Sequence, residues 1–354
     1  MTILYLIFSI LFIFGFHLVG ERISKLANFT SIIEEISDPI YQYSLIGIGF
    51  FIFFLYPLLF LGFYNKNFFF ILSISILLLG VVFIIFNFLN LFHFIMKFNI
   101  ISNDNKFLRY LFFLIVLLYL FISISPITSG DSLAYHLTAS KFILNNGKFP
   151  TGFYDSTNSL VGAGEFFNAF PLSINAFQAT SLINFVGIIS VIGIIKKCCE
   201  NFNLSDDLKY INYLCILSCP VLIFLVSSSK SQLFSTSLIF FSYSLFFYSL
   251  KKNNFNSNTI KKFIIITILC VVAVQTKISF SLSFFLIIMS IFIYFRKDHK
   301  KFHLIIIFSL LFCFGLLPYT FWKQSVYDYH FYYFFFNPFP LNIPGYFEAY
   351  NSAK

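Results

Sequence analysis

The stretch Leu111-Phe-Phe-Leu-Ile-Val-Leu-Leu-Tyr-Leu-Phe-Ile-Ser-Ile-Ser-Pro126, continuing as Ile127-Thr-Ser-Gly-Asp-Ser-Leu-Ala-Tyr-His-Leu-Thr-Ala-Ser-Lys141, decides how this chain is read. Its first half belongs to an apolar run over 108–126, about the length that crosses a bilayer as a helix. Its second half is a polar island in an otherwise apolar sequence. An acid, a tyrosine and a histidine stand where the chain leaves the hydrocarbon. Ionisable groups at such a place are kept because they are used or because water reaches them.

Outward from that junction the same kind of run recurs, over about 2–20, 43–63, 68–97, 174–195, 210–227, 231–250, 262–276, 279–295 and 302–318. Each is near the roughly 20 residues a crossing needs. The 354 residues are 59% hydrophobic and 10% charged, against roughly a quarter charged in soluble domains. The expectation is an all-α polytopic membrane protein with about ten transmembrane helices. The runs are too long and continuous for barrel strands, and an open sheet cannot span lipid. The 57 Phe residues read as codon bias filling positions that need only be apolar.

A net charge of +9 raises nucleic acid as a partner, but the distribution of charge argues for topology instead. With the Asp131 segment placed outside, sixteen of the 23 Lys and Arg residues fall on the cytoplasmic side, as the positive-inside rule requires. The bias is cleanest after residue 97, because the 21–42 segment is acidic. No nucleic-acid partner is expected. The six cysteines lie in spans or in one short loop and imply no disulfide framework. Met1–Gly20 lacks the basic start and small-residue cleavage site of a secretory signal.

This topology divides the chain into an N-terminal transmembrane extension of about three helices (1–107), a core (108–320) and an outer-face tail (321–354). The core carries a long outer loop, 127–173, rich enough in Phe, Tyr and Leu to fold and expected to hold short interfacial helices. Asp131 to about Asn145 reads as one of them. Ser129 or Asp131 can cap its start, and Asn146-Gly147 and Pro150 end it. Leu133, Leu137 and Leu144 share one side, and Asp131 and Tyr135, four apart, share another.

Five acids fall on the outer side: Asp131, Asp155, Glu165, Asp328 and Glu348. Asp131 stands nearest a span end, where a carboxylate can take a proton from a hydroxyl while a lipid-borne group approaches from the side. The plain alternative is a helix cap, and the two roles are compatible. His136 can orient a phosphate or shuttle a proton, and Tyr135 reads first as an interface anchor. Glu165, in Gly162-Ala-Gly-Glu-Phe-Phe-Asn-Ala-Phe-Pro171, can hold an acceptor hydroxyl or a cation, or serve as a solvated carboxylate at a helix start. Lys277, in Val271-Val-Ala-Val-Gln-Thr-Lys-Ile-Ser-Phe280, stands between two apolar helices with almost no loop. At the outer boundary it can meet a phosphate or simply snorkel. Lys230, in Ser227-Ser-Ser-Lys-Ser-Gln232, has the same two readings. His17 and His93 are read as packing residues.

Together these stretches resemble the GT-C glycosyltransferases, the multi-spanning enzymes related to protein O-mannosyltransferases and aminoarabinose transferases. Ser129-Gly-Asp-Ser-Leu-Ala-Tyr-His-Leu137, followed by a helix ending Asn-Gly-Lys-Phe-Pro150, is similar to that group's first outer loop. Gly164-Glu165 resembles its small-residue-plus-Glu segment, and Gln275-Thr276-Lys277 its Lys after an Ala-rich helix. Pro318 with Phe336-Asn-Pro-Phe-Pro340 resembles its Asn-Pro-aromatic-Pro loop. The resemblance runs from about 108 to 345. It implies a polyprenyl-phosphate sugar as donor and a lipid, glycan or protein hydroxyl as acceptor, on the outer face of a bacterial inner membrane. Carried over, Asp131 is the general base, Glu165 positions the acceptor or a divalent cation, and Lys277 neutralises the departing phosphate, with Lys230 assisting. Two departures stand out. Three spans precede the unit that usually comes first, and the chain stops soon after its last span, as in a C-terminally shortened member. A non-enzymatic glycolipid flippase, or an inactive relative, is the alternative. A carrier keeps its polar groups near the midplane in broken helices, whereas here they gather at one face.

Overall fold

A computed structural model describes residues 2–97, 106–150, 161–250, 257–294 and 301–327, and among them the chain is helical with no strand. The expected acids Asp155, Asp328 and Glu348 and the Phe336–Pro340 motif lie outside the described residues.

Helix α1 (Thr2–Leu26) is followed by a single turn, α2 (Thr30–Ile33), a 3-10 turn at Pro39–Tyr41, and α3 (Tyr43–Leu59). Helix α4 (Lys66–Lys97) starts on Asn65, whose side-chain oxygen accepts the Phe68 N–H at 2.8 Å. A methyl added to Gly20 would lie 1.8 Å from the Tyr43 carbonyl oxygen, and one added to Gly80 would lie 1.9 Å from that of Leu11. Small residues therefore let α1 lie backbone to backbone against α3 and α4, the close packing that holds helices together in lipid.

Helix α5 (Lys106–Ile124) leads into the polar island, where a π-turn (Ser132–His136) runs into α6 (Leu137–Asn146). As expected, Gly147 ends α6, left-handed at φ 64° with its N–H on the Ile143 carbonyl at 2.8 Å. Leu137 and Leu144 are buried, but Leu133 is 50% exposed and does not share their side.

The next helix, α7 (Ala163–Ser173), departs from expectation. It is not interfacial: every residue from Ala163 to Leu172 is buried. The Phe166 ring lies 5.6, 5.4 and 5.2 Å from those of Tyr56, Tyr64 and Phe170. Phenylalanine here fills a defined aromatic cluster rather than any greasy position.

Helix α8 (Ala179–Asn201) is followed by α9 (Asp206–Leu217) and α10 (Pro220–Val226), which meet at a 64° bend. Pro220 has no N–H to continue the helix, so the expected sixth span is broken there. Helices α11 (Gln232–Leu250) and α12 (Ser257–Thr276) follow, then a 3-10 turn at Ile278–Phe280, α13 (Ser281–Tyr294) and α14 (Lys301–Tyr327).

Among the described residues five helices are long and apolar enough to cross a membrane: Ile3–Leu26, Lys66–Asn87, Lys106–Ile124, Ala179–Asn201 and Leu304–Trp322. The bent pair α9–α10 brings the number to six. Tyr43–Leu59 and Ile278–Ile293 are apolar but shorter. Of the ten runs read from the sequence, five or six are seen at full spanning length among the described residues.

One apolar cluster joins the N-terminal helices to the rest, with Phe12, Phe16, Ile48 and Phe53 packed among Phe167, Phe170, Leu238 and Leu269. Helices α1, α3 and α4 thus share their core with α7, α11 and α12. A smaller cluster of Phe112, Tyr119, Ile188, Tyr213 and Leu217 ties α5 and α8 to α9.

The helices give the body two ends. At one, Gly147 lies against the Tyr64 carbonyl and the Tyr319 hydroxyl donates to the Val161 carbonyl at 3.3 Å. The polar island lies at this end. At the other, Lys262 makes a buried ion pair with Glu35, and the Lys196 ammonium lies 5.5 Å from the centre of the Tyr41 ring. The acidic 21–42 segment therefore packs against Lys262 and Lys196.

Candidate functional site

The polar island begins with a change of helical pitch. The N–H of Leu137 bonds to the Ser132 carbonyl five residues back, closing the π-turn. Single π-turns inside helices recur at functional sites because they re-aim side chains. Asp131, at its start, makes no capping hydrogen bond. Its carboxylate instead takes a hydrogen bond from the Lys230 ammonium at 2.7 Å. The expectation that it caps its helix is corrected. The carboxylate is turned to the cation across the fold instead of to the N–H groups of its own turn.

This pair is asymmetric. The Asp131 side chain is 72% exposed and that of Lys230 only 14%. The Lys230 hydrogen bond and charge hold Asp131 below the usual carboxylate range. The acid stays ionised and open to its surroundings.

Lys230 is held by groups that sequence reasoning missed. It belongs to the turn between α10 and α11, and the side chain of Asn184, near the start of α8, spans that turn. The Asn184 amide donates to the carbonyls of Leu225, Ser228 and Lys230 at 3.1, 3.0 and 2.7 Å. Its oxygen accepts the Phe234 N–H at 3.4 Å. Ser132, inside the π-turn, accepts the Ser229 N–H at 3.2 Å, and Asn168 donates to the Ser229 carbonyl at 3.2 Å. The signal in the sequence was Asn184 itself, an amide inside the apolar run Leu182-Ile-Asn-Phe185. Buried amides require partners.

Glu165 occupies the first turn of α7 and is buried. One carboxylate oxygen accepts the Gly162 N–H at 2.8 Å, and the other is hydrogen-bonded to His136 Nδ1. It is therefore not the solvated carboxylate of the plain reading. The Tyr135 ring lies against that of His136, with centroids 4.4 Å apart.

Two close approaches bring the cations to this acid. A methyl on Gly164 would meet the Ser231 hydroxyl oxygen at 2.2 Å, next to Lys230. One on Gly162 would meet the Gln275 and Thr276 carbonyl oxygens at 2.6 and 2.9 Å, next to Lys277. Lys277 is exposed in the break between α12 and the 3-10 turn after it. Burial of part of its surroundings, with the nearby Lys230 charge, pulls its ammonium below the usual lysine range, and Glu165 pulls the other way. Asp131, Tyr135, His136, Glu165, Lys230 and Lys277, named separately from sequence, thus belong to one region.

The arrangement does not present a free carboxylate pair to a divalent cation. Asp131 is engaged by Lys230, and both oxygens of Glu165 are engaged by His136 and Gly162. Among the described residues no group of three or more His, Cys, Asp or Glu side chains is placed to hold a metal.

A family model, the DUF1420 N-terminal domain, matches residues 83–353. No curated protein and no solved structure matches the chain.

Proposed function

This chain belongs to the DUF1420 N-terminal domain family, and we propose, from the geometry of its polar site, that it is a glycosyltransferase using a polyprenyl-phosphate sugar as donor. The acceptor is a hydroxyl of a lipid, glycan or protein. In this reading the chain is a multi-pass protein of a bacterial inner membrane. Helices α1, α3, α4, α5, α8, the bent pair α9–α10, α11, α12, α13 and α14 are the ten spans, and the Asp131 end faces the periplasm.

The observation that carries the reading is the meeting, at helix ends, of an exposed carboxylate with two lysines and a buried Glu–His pair. Asp131 receives the acceptor hydroxyl and acts as general base. Lys277, with Lys230 assisting, meets the charge that develops on the departing phosphate. Lys230 exchanges its carboxylate partner for that phosphate as the donor binds. Tyr135, packed on His136, lines the entry from the membrane interface.

One observation speaks for a carrier, the break at Ser218-Cys219-Pro220. The α10 residues beyond it, Val221, Ile223 and Phe224, are exposed and apolar, which suits a lipid-facing surface better than a polar passage. The enzyme reading is therefore preferred. Mass spectrometry of envelope glycolipids from cells with and without the gene tests it. The reading expects one sugar-bearing species to disappear and its unglycosylated acceptor to accumulate. Intact glycosylation with a glycolipid stranded on the inner leaflet would favour the carrier.

A further inference from the structure

We propose that His136, oriented by Glu165, is the group that carries the acceptor's proton away from the Asp131 carboxylate. The inference rests on the transferase reading above and names a proton path within the same site.

The π-turn sets the geometry. In an ordinary helix of 3.6 residues per turn, positions five apart point about 140° away from each other. Tyr135, not His136, would then share the side of Asp131. Closure between Leu137 and Ser132, five residues apart, brings the chain round more slowly and swings position 136 toward position 131. The slower turn thus places the two side chains on neighbouring faces at the start of α6.

The tautomer sets the direction. With Glu165 as acceptor the shared proton belongs to His136 Nδ1, so the neutral imidazole carries its lone pair on Nε2. Glu165 is itself fixed, because its other oxygen holds the Gly162 N–H. The His136 side chain is 15% exposed, and among the described residues Nε2 makes no hydrogen bond. An imidazole in this state is a base with an oriented, reachable lone pair.

Asp131, for its part, is a weak final store for a proton. Return to the ion pair with Lys230 favours its ionised form, so a proton taken there is readily passed on. As the acceptor oxygen bonds to the sugar's anomeric carbon, the carbon–oxygen bond to phosphate breaks and its electron pair leaves with the polyprenyl phosphate. The hydroxyl proton moves to Asp131 and from there to Nε2 of His136. The resulting imidazolium is stabilised by Glu165, and Asp131 returns to its ion pair. Water takes the proton from Nε2 before the next turnover. Glu165 acts through His136 and is a positioning residue.

Diethyl pyrocarbonate, which acylates unprotonated imidazole nitrogen, tests this on the full chain in native membranes, with labelled sites mapped by mass spectrometry. We expect His136 to be acylated, sugar transfer to fall in step with that labelling, and hydroxylamine to restore both. Glu165→Gln separates charge from structure, since a glutamine oxygen still accepts the Gly162 N–H. That variant is expected to keep its thermal midpoint while losing most of its transfer and labelling His136 several-fold more slowly. His136→Gln is expected to lower the transfer rate by about 10²-fold or more. Full transfer with His136 acylated, or wild-type behaviour of Glu165→Gln in both assays, would overturn the proposal. Wild-type membranes with no transfer to lose would instead sink the transferase reading itself.

Discussion

The Lys230 ammonium lies 2.7 Å from the Asp131 carboxylate, although 99 positions of sequence separate the two residues. The cation is held by the protein, through the turn that Asn184 grips, while the acid faces outward. An ion pair built this way contributes little to stability, because its exposed partner is already well solvated. Its consequences lie in the chemistry of the two groups and of Lys277 beside them.

Lys230→Met should therefore move both limbs of the pH–activity curve in the same direction. Lys230 holds the Asp131 pKa down, so its removal raises that pKa and brings the acid limb to higher pH. Lys230 also depresses Lys277, so its removal raises that pKa and moves the alkaline limb up as well. Initial rates across pH check this. An unmoved acid limb would separate Asp131 from the rate-determining proton transfer.

Asn184→Ala leaves the carbonyls of Leu225, Ser228 and Lys230 and the Phe234 N–H without their side-chain partner. A single unsatisfied buried group costs roughly 1–3 kcal/mol, and a loss of at least that size is expected in the unfolding of the detergent-solubilised protein. Asn184→Asp should be worse, because a carboxylate repels the three carbonyls that the amide serves. A thermal midpoint unchanged in both variants would show that the turn holds itself.

Glycine substitutions provide a matched pair. A methyl on Gly162 meets backbone oxygens of Gln275 and Thr276 that cannot turn away, whereas one on Gly130 meets nothing within 4 Å. Gly162→Ala should cost about 1–3 kcal/mol, the usual range for overpacking, and displace Lys277. Gly130→Ala should be silent. Equal thermal midpoints for the two variants would mean that α12 does not bear on α7 at this point.

The individual site residues were legible because ionisable groups are scarce in a chain with 10% charged residues, and those at span ends stand out. Their pairing was not. Which carboxylate meets Lys230 depends on how α5, α8 and α11 pack, and no local pattern encodes that. The π-turn was also hidden, since periodicity at 3.6 residues coupled Asp131 to Tyr135 rather than to His136. Helix α7 is buried rather than interfacial, and Phe166-Phe-Asn-Ala-Phe-Pro171 is indeed apolar nearly all round, the mark of a buried helix. The helical class followed directly from the apolar runs, while the break at Pro220 needed coordinates to give its 64° bend.

Sidedness is open to direct labelling. In a cysteine-free background, Thr128→Cys at the Asp131 end and Ser205→Cys between α8 and α9 should behave oppositely toward an impermeant thiol reagent added to intact cells. The account expects labelling at 128 and protection at 205. The reverse pattern would turn the protein over in the membrane and remove the polyprenyl donor on the outer face from consideration.

The central claim concerns Asp131, and one measurement addresses it most directly. Cells lacking the gene are complemented with wild type or with Asp131→Asn at equal membrane levels, and their envelope glycolipids are compared by mass spectrometry. The account predicts that wild type restores a sugar-bearing species and that Asp131→Asn does not, with no measurable change in the thermal midpoint of the variant. Full restoration by Asp131→Asn would contradict it.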